Sequence, residues 1–354
     1  MLRCRGKDRC CMSKLQAAAG TSDEAEQFVA ALYRGMLRRE PDAQGLRTYA
    51  EALRNGRSHL AIVEEFLRSK EMQANAAVKL FVPPGHHCSP IVDPAEAAKH
   101  IDATAGSPIP DGLAGIALDR QEMIAIWRSL VPFMTAAPFP EHEDRSSRYA
   151  WVNPSYSFGD GSVLYAMLRL YSPQRVIEIG SGWSSACIFE TVTRDLGGDC
   201  RLTFIDPNPQ LLEERLGAAA SGVRIFASPV QEVPLAVFDE LAPNDVLFID
   251  SSHVLRTGSD VCFELFEILP RLRPGVLVHF HDMFWPFEYP RSWAVDENRS
   301  WNEVYAVRAF LTDNPHWRIL FFNDYFVRHE RALIEATYPR FLKKPGGAMW
   351  LQRL

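Results

Sequence analysis

The sequence predicts an α/β protein: a doubly wound, mostly parallel sheet with an antiparallel C-terminal strand, behind a small all-α domain. Three observations predict it. Short β-branched runs alternate with helical stretches from Ser162 onward. One of those runs, Arg175-Val-Ile-Glu-Ile179, ends in the glycine turn Gly180-Ser-Gly182. The first part of the chain, by contrast, shows helical periodicity throughout.

Residues 1–20 read as a disordered tail, locally basic at Arg3, Arg5, Lys7, Arg9 and Lys14. They lack the apolar stretch of a secretion signal, and Met12 is an alternative start. Residues 21–75 form the small helical domain. Thr21-Ser-Asp-Glu24 has capping-box spacing. Phe28, Val29, Leu32, Tyr33, Met36 and Leu37 then fall on one helical stripe. Pro41 stops that helix and Asp42 caps a second, with Leu46, Tyr49 and Leu53 inward. Asn55-Gly56 turns the chain into a third, carrying Ile62, Val63, Phe66 and Leu67.

Residues 76–160 read as an N-terminal cover of the sheet domain. Pro83-Pro-Gly-His-His-Cys-Ser-Pro90 is a rigid turn, and Ile101 to Leu113 reads as loop. A helix is predicted over Asp119 to Leu130, and Tyr149 to Asp160 is dense in aromatic and hydrogen-bonding groups.

Residues 161–354 carry the sheet. A helix from Ser162 precedes strands predicted at 175–179, 201–205, 222–226, 245–249 and 275–280, with helices at 209–219 and 258–269. After a helix at 301–312, Trp317 to Phe322 and Ala348 to Gln352 read as two late strands. Such alternation implies right-handed crossovers.

Composition narrows the function. The chain has 354 residues, 47% of them hydrophobic and 23% charged, without a long uncharged apolar run, so no membrane span is expected. A net charge of −6 argues against a nucleic-acid partner. The seven cysteines are scattered, which suits buried thiols in a cytoplasmic protein.

The glycine turn has the form of a nucleotide cradle. Glycines let the backbone approach a ligand, and the helix start at Ser184 offers unpaired N–H groups. Asp206 ends the next strand, 24 residues beyond Gly182, where a doubly wound sheet places the carboxylate that grips a ribose. Ligands of such sheets bind at strand carboxyl ends. There the sequence places Glu178, Asp206, Gln231, Asp250, His253, His281 and Asp282. An NAD-dependent oxidoreductase would show a third glycine where Ser185 stands. A non-catalytic nucleotide-binding protein that docks through its helical domain is a further reading.

Glu178-Ile-Gly-Ser-Gly182 resembles the first motif of class I S-adenosylmethionine-dependent methyltransferases, whose Rossmann-like sheet ends in an antiparallel pair. Phe248-Ile-Asp-Ser-Ser-His-Val254, His279-Phe-His-Asp282, Pro286-Phe-Glu-Tyr-Pro290 and Trp301-Asn-Glu303 extend the resemblance. So do Gly85-His86, Asn153, Tyr156 and Asp160. Together they look like a bacterial methyltransferase group found in glycan and secondary-metabolite gene neighbourhoods. The resemblance implies S-adenosylmethionine as cofactor and a hydroxyl oxygen of a small molecule or glycan as acceptor. It implies Gly180, Ser181 and Gly182 at the methionyl end, Glu178 at its ammonium, Asp206 at the ribose and Gln231 at the adenine. Asp250 also falls to the cofactor, and His253, His281 and Asp282 to catalysis, with the imidazoles as candidate bases.

Metal-dependent O-methyltransferases of the catechol and macrolide-sugar kinds place acidic ligands at the same strand ends. By that analogy Asp250, His281 and Asp282 would hold Mg²⁺, although His281 stands where a carboxylate or amide is usual. Residues 25–73 resemble a short bacterial helical domain of unknown function. Its marks are Leu32-Tyr33, Arg39-Glu-Pro-Asp-Ala-Gln-Gly45 and Ser69-Lys-Glu71. That resemblance implies association with surface-glycan or extracellular systems more than chemistry, and the helices themselves read as a bundle for docking or spacing.

Overall fold

The computed structural model describes residues 24–37, 39–71, 81–144 and 146–354. The expected tail at 1–20, its cysteines and the capping residue Thr21 lie outside the described residues. Two compact units emerge, Met1–Pro83 and Pro84–Leu354.

The first unit holds helices α1 (Glu24–Leu37), α2 (Ala43–Arg54) and α3 (His59–Arg68). Asp42 caps α2 by accepting from the Gly45 N–H at 2.8 Å, and Ser58 caps α3 by accepting from Ala61 N–H at 3.2 Å. Val29, Tyr33, Leu37, Ile62 and Phe66 form its core. The motif residues have structural work here. A Cβ on Gly45 would lie 2.1 Å from the Tyr33 hydroxyl, and the Arg39 guanidinium forks onto the Glu71 carboxylate.

The second unit opens with α4 (Pro94–Thr104), α5 (Arg120–Ala136) and α6 (Phe158–Tyr171). Part of α4 falls where the sequence reads as loop. Asp93 caps it by accepting from Ala95 N–H at 2.9 Å, with Pro94 in the first turn, but none of its residues is buried. It therefore lacks the apolar stripe by which helices are recognised.

Seven strands follow: β1 (Arg175–Ile179), β2 (Arg201–Ile205), β3 (Arg224–Phe226), β4 (Val246–Ile249), β5 (Leu277–Phe280), β6 (Trp317–Phe322) and β7 (Met349–Arg353). They form one sheet in the order β3-β2-β1-β4-β5-β7-β6. β7 runs antiparallel to both its neighbours, and the remaining pairings are parallel. This is the Rossmann-like methyltransferase sheet that the motifs imply. β1 to β5 are buried along nearly all their length apart from β3, as apolar strands covered on both faces should be.

Between the strands run α7 (Trp183–Asp195), α8 (Gln210–Leu216), α9 (Asp260–Phe263) and α10 (Glu303–Leu311). The helix expected at 258–269 is only one turn of α9 before it widens into a π-turn at Glu264–Ile268. Two helices that the sequence pattern did not reveal, α11 (Asn323–His329) and α12 (Arg331–Thr337), lie between the late strands. No helix among the described residues is long and apolar enough to cross a membrane.

Strand order reverses between β1 and β4, so the crevice of a doubly wound sheet opens beyond their carboxyl ends. Gly180 and Asp250 meet there. A Cβ on Gly180 would lie 1.8 Å from the Asp250 carbonyl oxygen, and its φ is +78°. Only glycine fits both the space and the backbone.

Candidate active site

Two cavities share the Asp250 wall. The first, ≈ 380 Å³, lies over the glycine turn and is lined by Gly180, Asp206, Gln231, Asp250 and Ser252 among others. The second, ≈ 540 Å³, is lined by Asp160, Asp250, His281 and Asp282 on one side and Trp293 and Arg299 on the other.

Beneath the first cavity Glu178 is fully buried on β1. Its Oε1 accepts from the Ser184 hydroxyl at 2.5 Å, while Oε2 has no partner. Burial pushes its carboxyl up to about 8, against the opposing pull of Ser184 and Ser185. Asp206 fastens the turn: its Oδ2 accepts from both the backbone N–H and the hydroxyl of Ser181 at 2.8 Å. The Ser185 hydroxyl, at the third glycine position of a dinucleotide fingerprint, accepts from Gly182 N–H at 2.9 Å. Gln231 donates to the Gly258 carbonyl at 2.8 Å, leaving its Oε1 without a partner.

The second cavity is bounded by a charged network. His281 is held between carboxylates on both ring nitrogens. Its Nε2 lies 3.4 Å from Asp160 Oδ2, and its Nδ1 lies 3.3 Å from Asp250 and 3.5 Å from Asp282. His253 lies beside it, with Nε2 3.4 Å from Asp250 and 3.6 Å from Asp282. Its Nδ1 donates to buried Glu303 at 2.7 Å.

These surroundings fix the charges. Burial opposes a charge on His253, but its bonds to Asp250 and Glu303 prevail and raise the ring to about 10. Burial likewise works against His281, yet the charges of Asp282 and Asp250 hold it well above the ordinary histidine range. Asp250 is the counterpart. Burial would raise it, and the two imidazolium rings bring it well below the usual carboxylate range. Asp282 goes the other way, raised chiefly by burial. His253 and Asp282 also adopt left-handed backbone angles, φ +60° and +57°, which cost of order 1–3 kcal/mol each in non-glycine residues. Strain of that kind concentrates at working sites.

The structure thus gathers Asp250, His281 and Asp282 at one cavity, with His253 against the same two aspartates. Gly180, Asp206 and Gln231 line the other. Ser181 and Gly182 act through their backbone and hydrogen bonds beside it. Sequence patterns did not reveal Asn323, which donates to Asp160 at 3.1 Å, or the Pro345-Gly346-Gly347 return that closes the second cavity. A Cβ on Gly346 would lie 1.8 Å from Asp160, so that glycine pair was the available signal. Nor did sequence reasoning single out Trp293 or Arg299.

Residues 177–283 match a family model described as a methyltransferase domain. That match lies wholly within the sheet unit and runs from β1 to the loop after β5. Residues 13–76 match a domain of unknown function (DUF4214), in agreement with the helical motifs. The chain also aligns with an uncharacterized protein of Archaeoglobus fulgidus, 25% identical over 168 residues, spanning 47% of this chain and 76% of the other. Among solved structures, the chain is similar to a Podospora anserina methyltransferase bound to S-adenosylhomocysteine. That likeness has 13% identity and TM-score 0.35, and covers 78% of this chain and 99% of that one. The O-methyltransferase TomG of Streptomyces achromogenes, in complex with S-adenosylmethionine, is 15% identical at TM-score 0.36, covering 72% and 96%.

Proposed function

We propose that the protein transfers a methyl group from S-adenosylmethionine to a hydroxyl oxygen of a small molecule or glycan. The observation that carries this reading is Asp250, one wall of both the cavity over the glycine turn and the cavity that holds His281 and Asp282. A donor in the first and an acceptor in the second would meet across a single side chain.

The cofactor's chemistry fits the residues present. Glu178 Oε2 is a buried acceptor without a donor, suited to the ammonium of a methionyl group. Gly180 leaves the backbone open for close approach, Asp206 has acceptor capacity for ribose hydroxyls, and Gln231 Oε1 is free for an adenine amino group. When bound, the cofactor supplies an already activated sulfonium methyl.

The chain then has two tasks. Holding donor and acceptor in line is worth up to about 7–11 kcal/mol, and a positioned base about 10²–10⁴-fold. Both imidazoles face carboxylates that keep them protonated, so neither offers a lone pair. Asp282, raised by burial where Asp250 is lowered by the two rings, takes the acceptor proton. His253 and His281 hold Asp282 in place and stabilise negative charge on the acceptor oxygen.

Mg²⁺ fits this rim poorly. It favours six oxygen ligands in near-ideal octahedral geometry. Here the atoms gathered within 4.8 Å of one another come from Asp250, His253 and Asp282. His281, the third ligand expected from the sequence, turns both nitrogens to carboxylates. We therefore place no metal in the reaction.

Among the described residues the cysteines Cys88, Cys187, Cys200 and Cys262 are free thiols, which supports a cytoplasmic setting. Calorimetric titration of the full chain with S-adenosylmethionine, S-adenosylhomocysteine and NAD tests the reading. Binding of the first two is expected, with turnover on a hydroxylated acceptor. Binding of NAD alone, or of none, overturns it.

A further inference from the structure

A third chamber, ≈ 290 Å³, adjoins the rim cavity, and Trp293 and Arg299 line both. Its walls are aromatic. Trp293 and Trp301 stand nearly perpendicular, 79° apart with centroids at 5.5 Å, and Tyr289 closes the angle at 5.9 Å from Trp301. Tyr305 flanks Tyr289 at 6.1 Å. Trp301 also touches the His253 ring at 4.3 Å, so one indole joins the chamber to the charged rim.

Polar groups are confined to particular positions. Glu288 accepts from the Tyr305 hydroxyl and from Tyr289 N–H, and its other oxygen lies 3.4 Å from His100. Glu96 and His100, both exposed, lie at the α4 side. The Arg299 guanidinium is stacked on Trp293 at 4.0 Å and Trp301 at 4.5 Å, and is paired with Glu297.

We propose that this chamber is the acceptor subsite and that it takes one neutral ring bearing several hydroxyls and an apolar face, as a pyranose does. The inference rests on the methyl-transfer reading. Flat aromatic walls pack against the C–H face of such a ring, and carboxylates at the edge accept hydrogen bonds from its hydroxyls. The same two carboxylates repel an anionic acceptor such as a phosphate ester. A cationic acceptor is repelled by the Arg299 guanidinium at the wall the chamber shares with the rim cavity. The volume is at the small end for ligand pockets, which limits the occupant to about one ring. A ring seated here has an edge toward the Trp293–Arg299 wall, which the chamber shares with the cavity of Asp282.

The test uses the full chain saturated with S-adenosylhomocysteine. Methyl glucoside, mannoside, galactoside and rhamnoside are the probes, with catechol and phosphocholine as comparisons. Trp293 and Trp301 report binding through tryptophan fluorescence, and saturation-transfer NMR reports which ring face is covered. We expect at least one glycoside to bind through its C–H face. Tyr305→Ala should weaken it about fivefold or more, and Glu96→Gln measurably, with S-adenosylhomocysteine affinity unchanged in both. Failure of the wild type to bind S-adenosylhomocysteine sinks the methyl-transfer reading itself. Cofactor binding without glycoside binding, or glycoside binding that ignores Tyr305→Ala, overturns the chamber assignment alone. Binding of only catechol or phosphocholine overturns the ligand class.

Discussion

Glu303 Oε2 sits 2.7 Å from His253 Nδ1, and both side chains are almost wholly buried. The pair joins α10 to the loop after β4, and His253 passes the interaction on to Asp250 and Asp282. The His253 ring, raised to about 10, should stabilise the fold fully below its unfolded value of about 6.5. That contribution is lost as pH rises through about 10. Glu303→Gln removes one of the two carboxylates that hold the proton, so its stability should vary less between those limits. Denaturant melts across that pH range check this. Glu303→Ala leaves a buried imidazolium short of its partner and should cost about 3–5 kcal/mol. Identical pH slopes in wild type and Glu303→Gln would show that the charge on His253 contributes nothing to stability.

Glu178 predicts a proton. With its carboxyl near 8, the free protein carries it largely protonated at pH 7. An ammonium placed at Oε2 favours the ionised form, so cofactor binding should release close to one proton near pH 7 and about half a proton near pH 8. Calorimetry in buffers of different ionisation enthalpy counts that proton. Glu178→Gln should abolish the release. The raised value also means that stability of the unliganded protein declines as pH rises from about 4.5 to about 8.

Asp206 has two jobs that a mutant series can separate. It holds Ser181 by two hydrogen bonds, and it faces the cavity over the glycine turn. Asp206→Ala should weaken cofactor binding more than tenfold. Asp206→Asn keeps an acceptor for Ser181, so its affinity should fall between those of the wild type and Asp206→Ala. Equal affinity in all three proteins would take Asp206 out of cofactor recognition.

The sheet and its rim were legible because β2, β4 and β5 are largely apolar runs that stop at a polar residue, and β1 stops at the glycine turn. Asp206, Asp250 and His281 are each the first residue past such a run. What the pattern could not give was environment. His279 on β5 and His281 just past its end have rings stacked at 6.0 Å, yet burial and the His281 charge drive His279 well below the ordinary range while carboxylates raise His281. Phe248 stacked at 3.9 Å and the Tyr156 hydroxyl at 3.2 Å surround the first, and only the fold brings them there. Partners that arrive from far along the chain, such as Asn323 at Asp160, leave no local trace. α4 failed for a different reason, since a helix with no buried side chain has no periodicity to read.

His281→Asn should lower turnover by about 10²-fold or more while leaving cofactor affinity within a factor of about two. The ring touches Asp160, Asp250 and Asp282 and lines the second cavity, not the one over the glycine turn. Asparagine retains two polar atoms but no positive charge, so the loss would report charge at the acceptor oxygen. A mutant with full turnover would exclude His281 from the chemistry, and one that no longer binds S-adenosylhomocysteine would place it in cofactor binding.

Chelation tests for a metal directly. If the rim satisfies its own charges through two imidazolium rings, turnover after dialysis against EDTA should match that of untreated protein, and added Mg²⁺ should not raise it. A divalent ion bound by Asp250, His253 and Asp282 would need His253 deprotonated, so it would also shift that histidine's NMR resonances. Loss of activity on chelation, restored by one metal ion, would transfer the acceptor's activation from Asp282 to that ion. The three groups that come together, Asp250, His253 and Asp282, are then the set to mutate. A mixed nitrogen and oxygen set of that kind favours Mn²⁺, Fe²⁺ or Zn²⁺ over Mg²⁺, so the order in which added metals restore turnover would identify it.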